Sequence, residues 1–119
     1  MNCGCGCANE PEGGYAWAGS GLKWAVNMTC EGFSMDEDDW TITVTRGNKS
    51  IVFTPDNAIH EVTETGGVET SQWYICIDSS ELGPGEMYII FDAFVPDEDF
   101  DSGIRHEIQK YRLITVKSL

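Results

Sequence analysis

Apolar and polar residues alternate with a period of two along most of this chain. Leu22, Trp24, Val26, Met28 and Cys30 interleave with Lys23, Ala25, Asn27 and Thr29. Side chains two apart share one face of a strand, so the spacing predicts a half-buried strand with an apolar inner face. Trp40, Ile42 and Val44 alternate with Thr41, Thr43 and Thr45, and β-branched residues suit the pleat. Arg46-Gly47-Asn48-Lys49 is turn chemistry, so residues 40–54 read as a hairpin that Pro55-Asp56-Asn57 ends. Residues 58–62 suit a short edge strand and Glu64-Thr65-Gly66-Gly67 a turn. Trp73, Ile75 and Ile77 alternate with Tyr74, Cys76 and Asp78 in the next strand.

Gly83-Pro84-Gly85 is a strong turn, and residues 86–95 follow as a long strand. Met87, Ile89, Phe91, Ala93 and Val95 lie on one face; Tyr88, Ile90, Asp92 and Phe94 lie on the other. A strand that is apolar on both sides suits the middle of a sheet, or a sheet whose second face another subunit covers. After a loop at 96–103, residues 104–110 have room for a turn of helix. Tyr111, Leu113 and Thr115 then alternate with Arg112, Ile114 and Val116 in a last strand. Trp24, Trp40, Trp73, Phe91 and Tyr111 fall on inward faces and are expected in the core. Roughly six or seven short strands with regular turn signals predict an all-β fold, an antiparallel β-sandwich of immunoglobulin-like architecture. The Cys-Trp-Cys spacing of true immunoglobulin domains is not present, so the expectation concerns architecture and not that family.

Residues 1–19 break the pattern. They are rich in Gly, Cys and Ala, include Pro11, and show neither a strand nor a helix period. They are expected to be an extended N-terminal anchoring arm, with the sandwich domain spanning 20–119. Tyr15 and Trp17 lie in this arm, where no core is expected, and exposed aromatics of that kind serve as anchors on a partner surface. Cys3, Cys5 and Cys7 lie beside them. With Tyr15 and Trp17 they form the candidate partner-binding set.

Composition narrows the partners. Twenty acidic residues against seven basic ones give a net charge of -13 over 119 residues. Such a surface repels phosphate, which argues against nucleic acid and anionic membranes. No apolar run approaches the roughly 20 residues needed to cross a bilayer. The first residues carry neither a basic nor an apolar signal region, so folding in a reducing cytoplasm is expected, without a disulfide framework among the five cysteines.

Several patterns resemble chemical sites and stop short of one. C-x-C-x-C offers thiolates closer together than a zinc knuckle sets them, and a zinc site needs a fourth ligand. The rival reading is a small-residue arm. Asp97, Asp99 and Asp101 begin like a calcium loop, but Ser102 and Ile108 stand where an EF-hand needs Gly and Glu. A solvated loop, or one meeting basic residues of a partner, is the plainer reading, as it is for Asp36-Glu37-Asp38-Asp39. His60 and His106 are the only histidines. A hydrolase reading would join one of them to an Asp and to Ser71 or Ser79, but no nucleophile elbow is present. No catalytic role, cofactor or metal is therefore expected. Asn27-Met28-Thr29 and Asn48-Lys49-Ser50 match the glycosylation sequon, here read as incidental. Tyr74, Tyr88 and Phe94 keep a carbohydrate-binding surface open as a rival.

Residues 82–117 carry a resemblance. Leu82-Gly83-Pro84-Gly85-Glu86-Met87-Tyr88, then Val95-Pro96-Asp97, then Asp99-Phe100-Asp101-Ser102-Gly103-Ile104-Arg105 resemble a turn and loop pattern in small virion proteins of Bacteroides phages, including crAss-like phages. Ser102 departs from that pattern, which often has Asp before the Gly. The resemblance implies a structural virion protein: a capsid-decorating or head-fibre protein, or alternatively a tail or baseplate appendage. It implies other virion proteins as partners and a homo-oligomer, often a trimer in such proteins. It does not extend to the cysteines.

Overall fold

Each alternating segment finds a neighbour that shares its buried face. The computed structural model describes residues 3–8, through their backbone pairing, and residues 15–118 in full. Among the described residues nine strands run β1 (Cys3–Ala8), β2 (Tyr15–Trp17), β3 (Gly21–Cys30), β4 (Trp40–Arg46), β5 (Lys49–Phe53), β6 (Ile59–Thr65), β7 (Val68–Asp78), β8 (Gly85–Pro96) and β9 (Ile104–Lys117). They form a first sheet in the order β1-β3-β7-β6 and a second in the order β2-β9-β8-β4-β5. Every pairing is antiparallel except that of β2 with β9. A short 3-10 turn at Ser79–Glu81 is the one helical element among the described residues.

The two sheets pack face to face as a β-sandwich. Trp24, Val26, Met28, Trp73, Ile75 and Ile77 come from the first sheet. Trp40, Ile42, Val44, Met87, Ile89, Phe91, Ala93, Val95, Leu113, Ile114 and Val116 come from the second. The alternation seen in the sequence is thus the alternation of core and surface, and β8 is the middle strand of its sheet.

Four expectations change. First, the segment 1–19 supplies strands to both sheets: β1 edges the first along β3, and β2 edges the second along Thr115–Lys117. Cys3, Cys5 and Cys7 alternate with Gly4 and Gly6, a strand period masked by the Gly-rich composition of the segment. Residues 9–14 lie outside the described residues. Second, residues 104–110 are strand and not helix, because they pair with residues 90–96 of β8. Third, Tyr111 is 37% exposed. β2 reaches only as far back as Thr115, so β9 is the edge of its sheet at Tyr111. A bulge between Met87 and Tyr88 also shifts the phase of β9, so that Leu113 and Ile114 are both buried although adjacent. Fourth, Cys30 is disulfide-bonded, against the expectation of thiols throughout, while Cys76 is free. The register sets Cys3 directly opposite Cys30, and Cys5 and Cys7 opposite the core positions Met28 and Val26. The side chains of Cys3, Cys5 and Cys7 lie outside the described residues.

Ile42 is wholly buried between the sheets, whereas Val52 is 49% exposed on the outer face. Ile42→Ala is expected to cost about 2–5 kcal/mol in urea unfolding, and Val52→Ala about 0.5 kcal/mol or less.

Candidate functional site

Three surface features stand out once the core is subtracted. The first is the aromatic pair on β2. Tyr15 and Trp17 are 56% and 46% exposed, and their rings meet edge to face at 5.7 Å. Between them Ala16 turns inward against the core, so the alternation of β2 forces both aromatics outward. Lys117 lies over the Tyr15 ring, 4.0 Å from its centre. Ser79 fixes the end of β2: its hydroxyl accepts from Gly19 N–H at 2.9 Å and donates to Trp17 O at 3.3 Å. Ser79 is fully buried and serves this junction. Tyr15 and Trp17 are therefore exposed, as expected, but on a strand built into the second sheet.

The second feature is a polar cluster where β6 and β7 leave the sandwich. β3 pairs with β7 only as far as Trp73, and beyond it β6 and β7 continue as a two-stranded ribbon. Gln72 covers part of the split by donating from Nε2 to Val26 O at 3.2 Å, and Met35 Sδ receives Met28 N–H at 3.3 Å. A cleft of about 490 Å³ remains, lined among others by Cys30, Phe33, Asp36, Ser71 and Trp73. On its rim Asp36 Oδ1 accepts from Trp73 Nε1 and from Ser71 Oγ, each at 2.8 Å. His60 stacks on the Trp73 indole at 4.0 Å with the rings nearly parallel. Its Nε2 lies 2.6 Å from Ser71 Oγ and 3.3 Å from Asp36 Oδ1.

Serine, histidine and aspartate thus come together, but not as a catalytic triad. A triad needs His to accept the serine proton on one ring nitrogen and to donate to Asp from the other. Here one nitrogen faces both groups. Ser71 Oγ donates to Asp36 Oδ1, so its proton is directed at the carboxylate and not at the ring. The arrangement ties the ribbon root to the loop before β4. Partial burial raises the Asp36 pKa, but the Trp73 and Ser71 hydrogen bonds and the His60 ring outweigh it and hold the carboxyl below its ordinary value. His106 makes a comparable pair with Asp92 at 2.8 Å and stacks on Phe94.

The third feature is the loop of the resemblance. Asp97 binds Arg105 and accepts Asp99 N–H at 3.0 Å, and Arg105 also reaches Glu31 O at 3.1 Å. Asp97 is held by these partners rather than facing an open calcium loop. Among the described residues no group of His, Cys, Asp or Glu is placed to hold a metal ion. At the other end of the motif, Leu82 fills the core and Gly85, at φ 131, faces Arg46, whose Nε donates to Leu82 O at 2.7 Å. A Cβ at Gly85 would fall 2.7 Å from Arg46 Cδ. The motif residues shape the ends of β8.

The sequence held one signal for the His60 cluster. Gly66-Gly67 forms a two-residue turn with both φ angles positive, which sets Thr65 opposite Val68 and so His60 opposite Trp73. The approach of Asp36 had no local signal. The chain matches no family model, no curated protein and no solved structure.

A carboxyl held below its ordinary value of 3.8 stabilises the fold above that pH, and the gain is lost as pH falls through the lower folded value. Wild type is therefore expected to be more stable than Asp36→Asn at neutral pH. The gap should close as pH falls below about 4, as read by urea unfolding at several pH values.

Proposed function

We propose that this chain is a structural component of a phage virion, a capsid-decorating or head-fibre protein whose sandwich is displayed and whose N-terminal strands make the attachment. The observation that carries this reading is the exposed Tyr15–Trp17 pair on β2. Large aromatics supply much contact area at little entropic cost, so two of them side by side suit an anchor. The resemblance of residues 82–117 to small virion proteins supplies the setting, with capsid or tail proteins as partners and self-association into a homo-oligomer. A tail or baseplate appendage is the alternative location.

We also read the architecture as immunoglobulin-like. The strand order matches an immunoglobulin sandwich whose first strand is divided between the two sheets, as β1 and β2 are here. The inter-sheet disulfide of antibody domains has no counterpart, since β8 contains no cysteine. A carbohydrate- or receptor-binding module is less favoured. Tyr74, Tyr88 and Phe94 are each half-buried and less open than Tyr15 and Trp17.

Because β1 and β2 belong to the sheets, deleting them would test stability as well as attachment. Point substitutions separate the two. The double variant Tyr15→Ala, Trp17→Ala is expected to keep a cooperative melt and to lose at least about 30-fold in particle incorporation, the scale of a 2 kcal/mol anchor. Undiminished incorporation of the folded variant would remove the basis of this reading. A glycan-dependent shift in the melting temperature of the wild type would favour the carbohydrate module instead.

A further inference from the structure

The β6–β7 ribbon is exposed on both faces: every residue from 59 to 71 is solvent-accessible. An isolated two-stranded hairpin is marginal in water. This one carries three exposed apolar side chains, Ile59, Val62 and Val68. It also carries Glu61, Glu64 and Glu69, none of which forms an ion pair among the described residues. The register sets Glu64 directly opposite Glu69. Like charges facing across a ladder destabilise it. No Lys or Arg occurs between Lys49 and Arg105. The ribbon is therefore incomplete in a specific way: it lacks an apolar cover and cations for its tip.

Both are present together on the outer face of the second sheet. The outer face of β8 and β9 presents Tyr88, Ile90, Phe94 and Ile108, with Lys110 and Arg112 beside them; of its two carboxylates, Asp92 is paired with His106 and Glu86 reaches Arg112 only loosely. Lys110 lies over the Tyr88 ring at 5.0 Å and has no carboxylate partner among the described residues. Arg112 has only a loose contact with Glu86 at 3.5 Å, both side chains being about half exposed. Such a pair holds its partner weakly. The ribbon extends from the first sheet, whereas this face points away from that sheet. The two surfaces are complementary but belong to opposite sides of the sandwich, so their contact is between copies.

We propose that the β6–β7 ribbon of one copy docks on the outer face of β8 and β9 of the next, with Glu64 and Glu69 meeting Lys110 and Arg112. This deepens the self-association in the reading above and rests on it. The contact is head to tail: it closes a ring where the rotation per step permits, a threefold ring included, and otherwise continues as a filament.

Charge exchange tests it. Sedimentation of the full chain is measured for wild type, for Glu64→Lys with Glu69→Lys, for Lys110→Glu with Arg112→Glu, and for all four together, with circular dichroism to confirm folding. Wild type is expected to associate, each pair of substitutions to weaken association at least about tenfold, and the fourfold variant to recover most of it. If wild type associates and neither pair alters it, the ribbon contact is wrong while self-association stands. If only the ribbon pair weakens association and the fourfold variant fails to recover it, something other than this face covers the ribbon. A wild type that stays monomeric at high concentration removes both the contact and the self-association it rests on.

Discussion

The contact between Trp40 and Trp73 joins the two sheets and sets the position of everything at that end of the domain. Trp40 begins β4 in the second sheet and Trp73 sits in β7 of the first, with ring centres 5.1 Å apart and planes at 85°. Edge-to-face pairs of this kind add about 0.5–1.5 kcal/mol beyond the area they bury. A buried indole N–H also needs an acceptor. Trp40 donates to Met35 O and Trp73 to Asp36 Oδ1, so adjacent residues of one loop satisfy both rings. That loop in turn covers the point where β3 and β7 part. His60 stacks on the free face of Trp73, and through it the ribbon is rooted in the core.

From that seam outward, the molecule separates packing from contact. The inner faces of both sheets are filled with aliphatic and aromatic side chains. The polar groups nearest the core are satisfied within the chain: no buried side-chain nitrogen or oxygen lacks a partner among the described residues. What remains unmatched lies on the surface. The Tyr15–Trp17 pair is about half exposed beside Lys117, the ribbon tip sets carboxylate against carboxylate, and the outer face of β8 and β9 mixes apolar groups with Lys110, Arg112, Asp92 and Glu86. These are the places where a protein of net charge -13 has something to gain from a neighbour.

Much of this is legible in the sequence wherever one face of a strand is buried. Trp40, Ile42 and Val44, and Met87 through Val95, declare their strands because burial imposes the period. The pattern marks the ribbon only at residues 58–62 and from 73 onward, because a strand exposed on both faces has no reason to alternate. Residues 104–110 escape the pattern for a different reason: their half-buried positions are the polar Arg105, Glu107 and Gln109 while Ile104 and Ile108 are exposed, so pairing with β8 holds them as strand against their own hydropathy. The phase slip at Leu113–Ile114 comes from a bulge that only the pairing reveals. In β1 the alternation of Cys with Gly is present but short, and Gly at every second position is as common in loops as in strands. The Asp36 contact spans 37 residues to Trp73 and depends on the seam itself, so no local rule could anticipate it.

The ribbon, exposed in one copy, is on this account a contact element completed by a neighbour. Hydrogen exchange followed by mass spectrometry at low and high protein concentration addresses it most directly. Amides of β6 whose N–H groups point away from β7 have no ladder partner in the single chain and should exchange quickly in dilute solution. In the associated protein they should slow, together with those of β9 near Lys110 and Arg112, while the β4 and β8 core stays protected throughout. If β6 exchanges equally fast in both conditions while another surface becomes protected, the contact between copies belongs to a different part of the molecule.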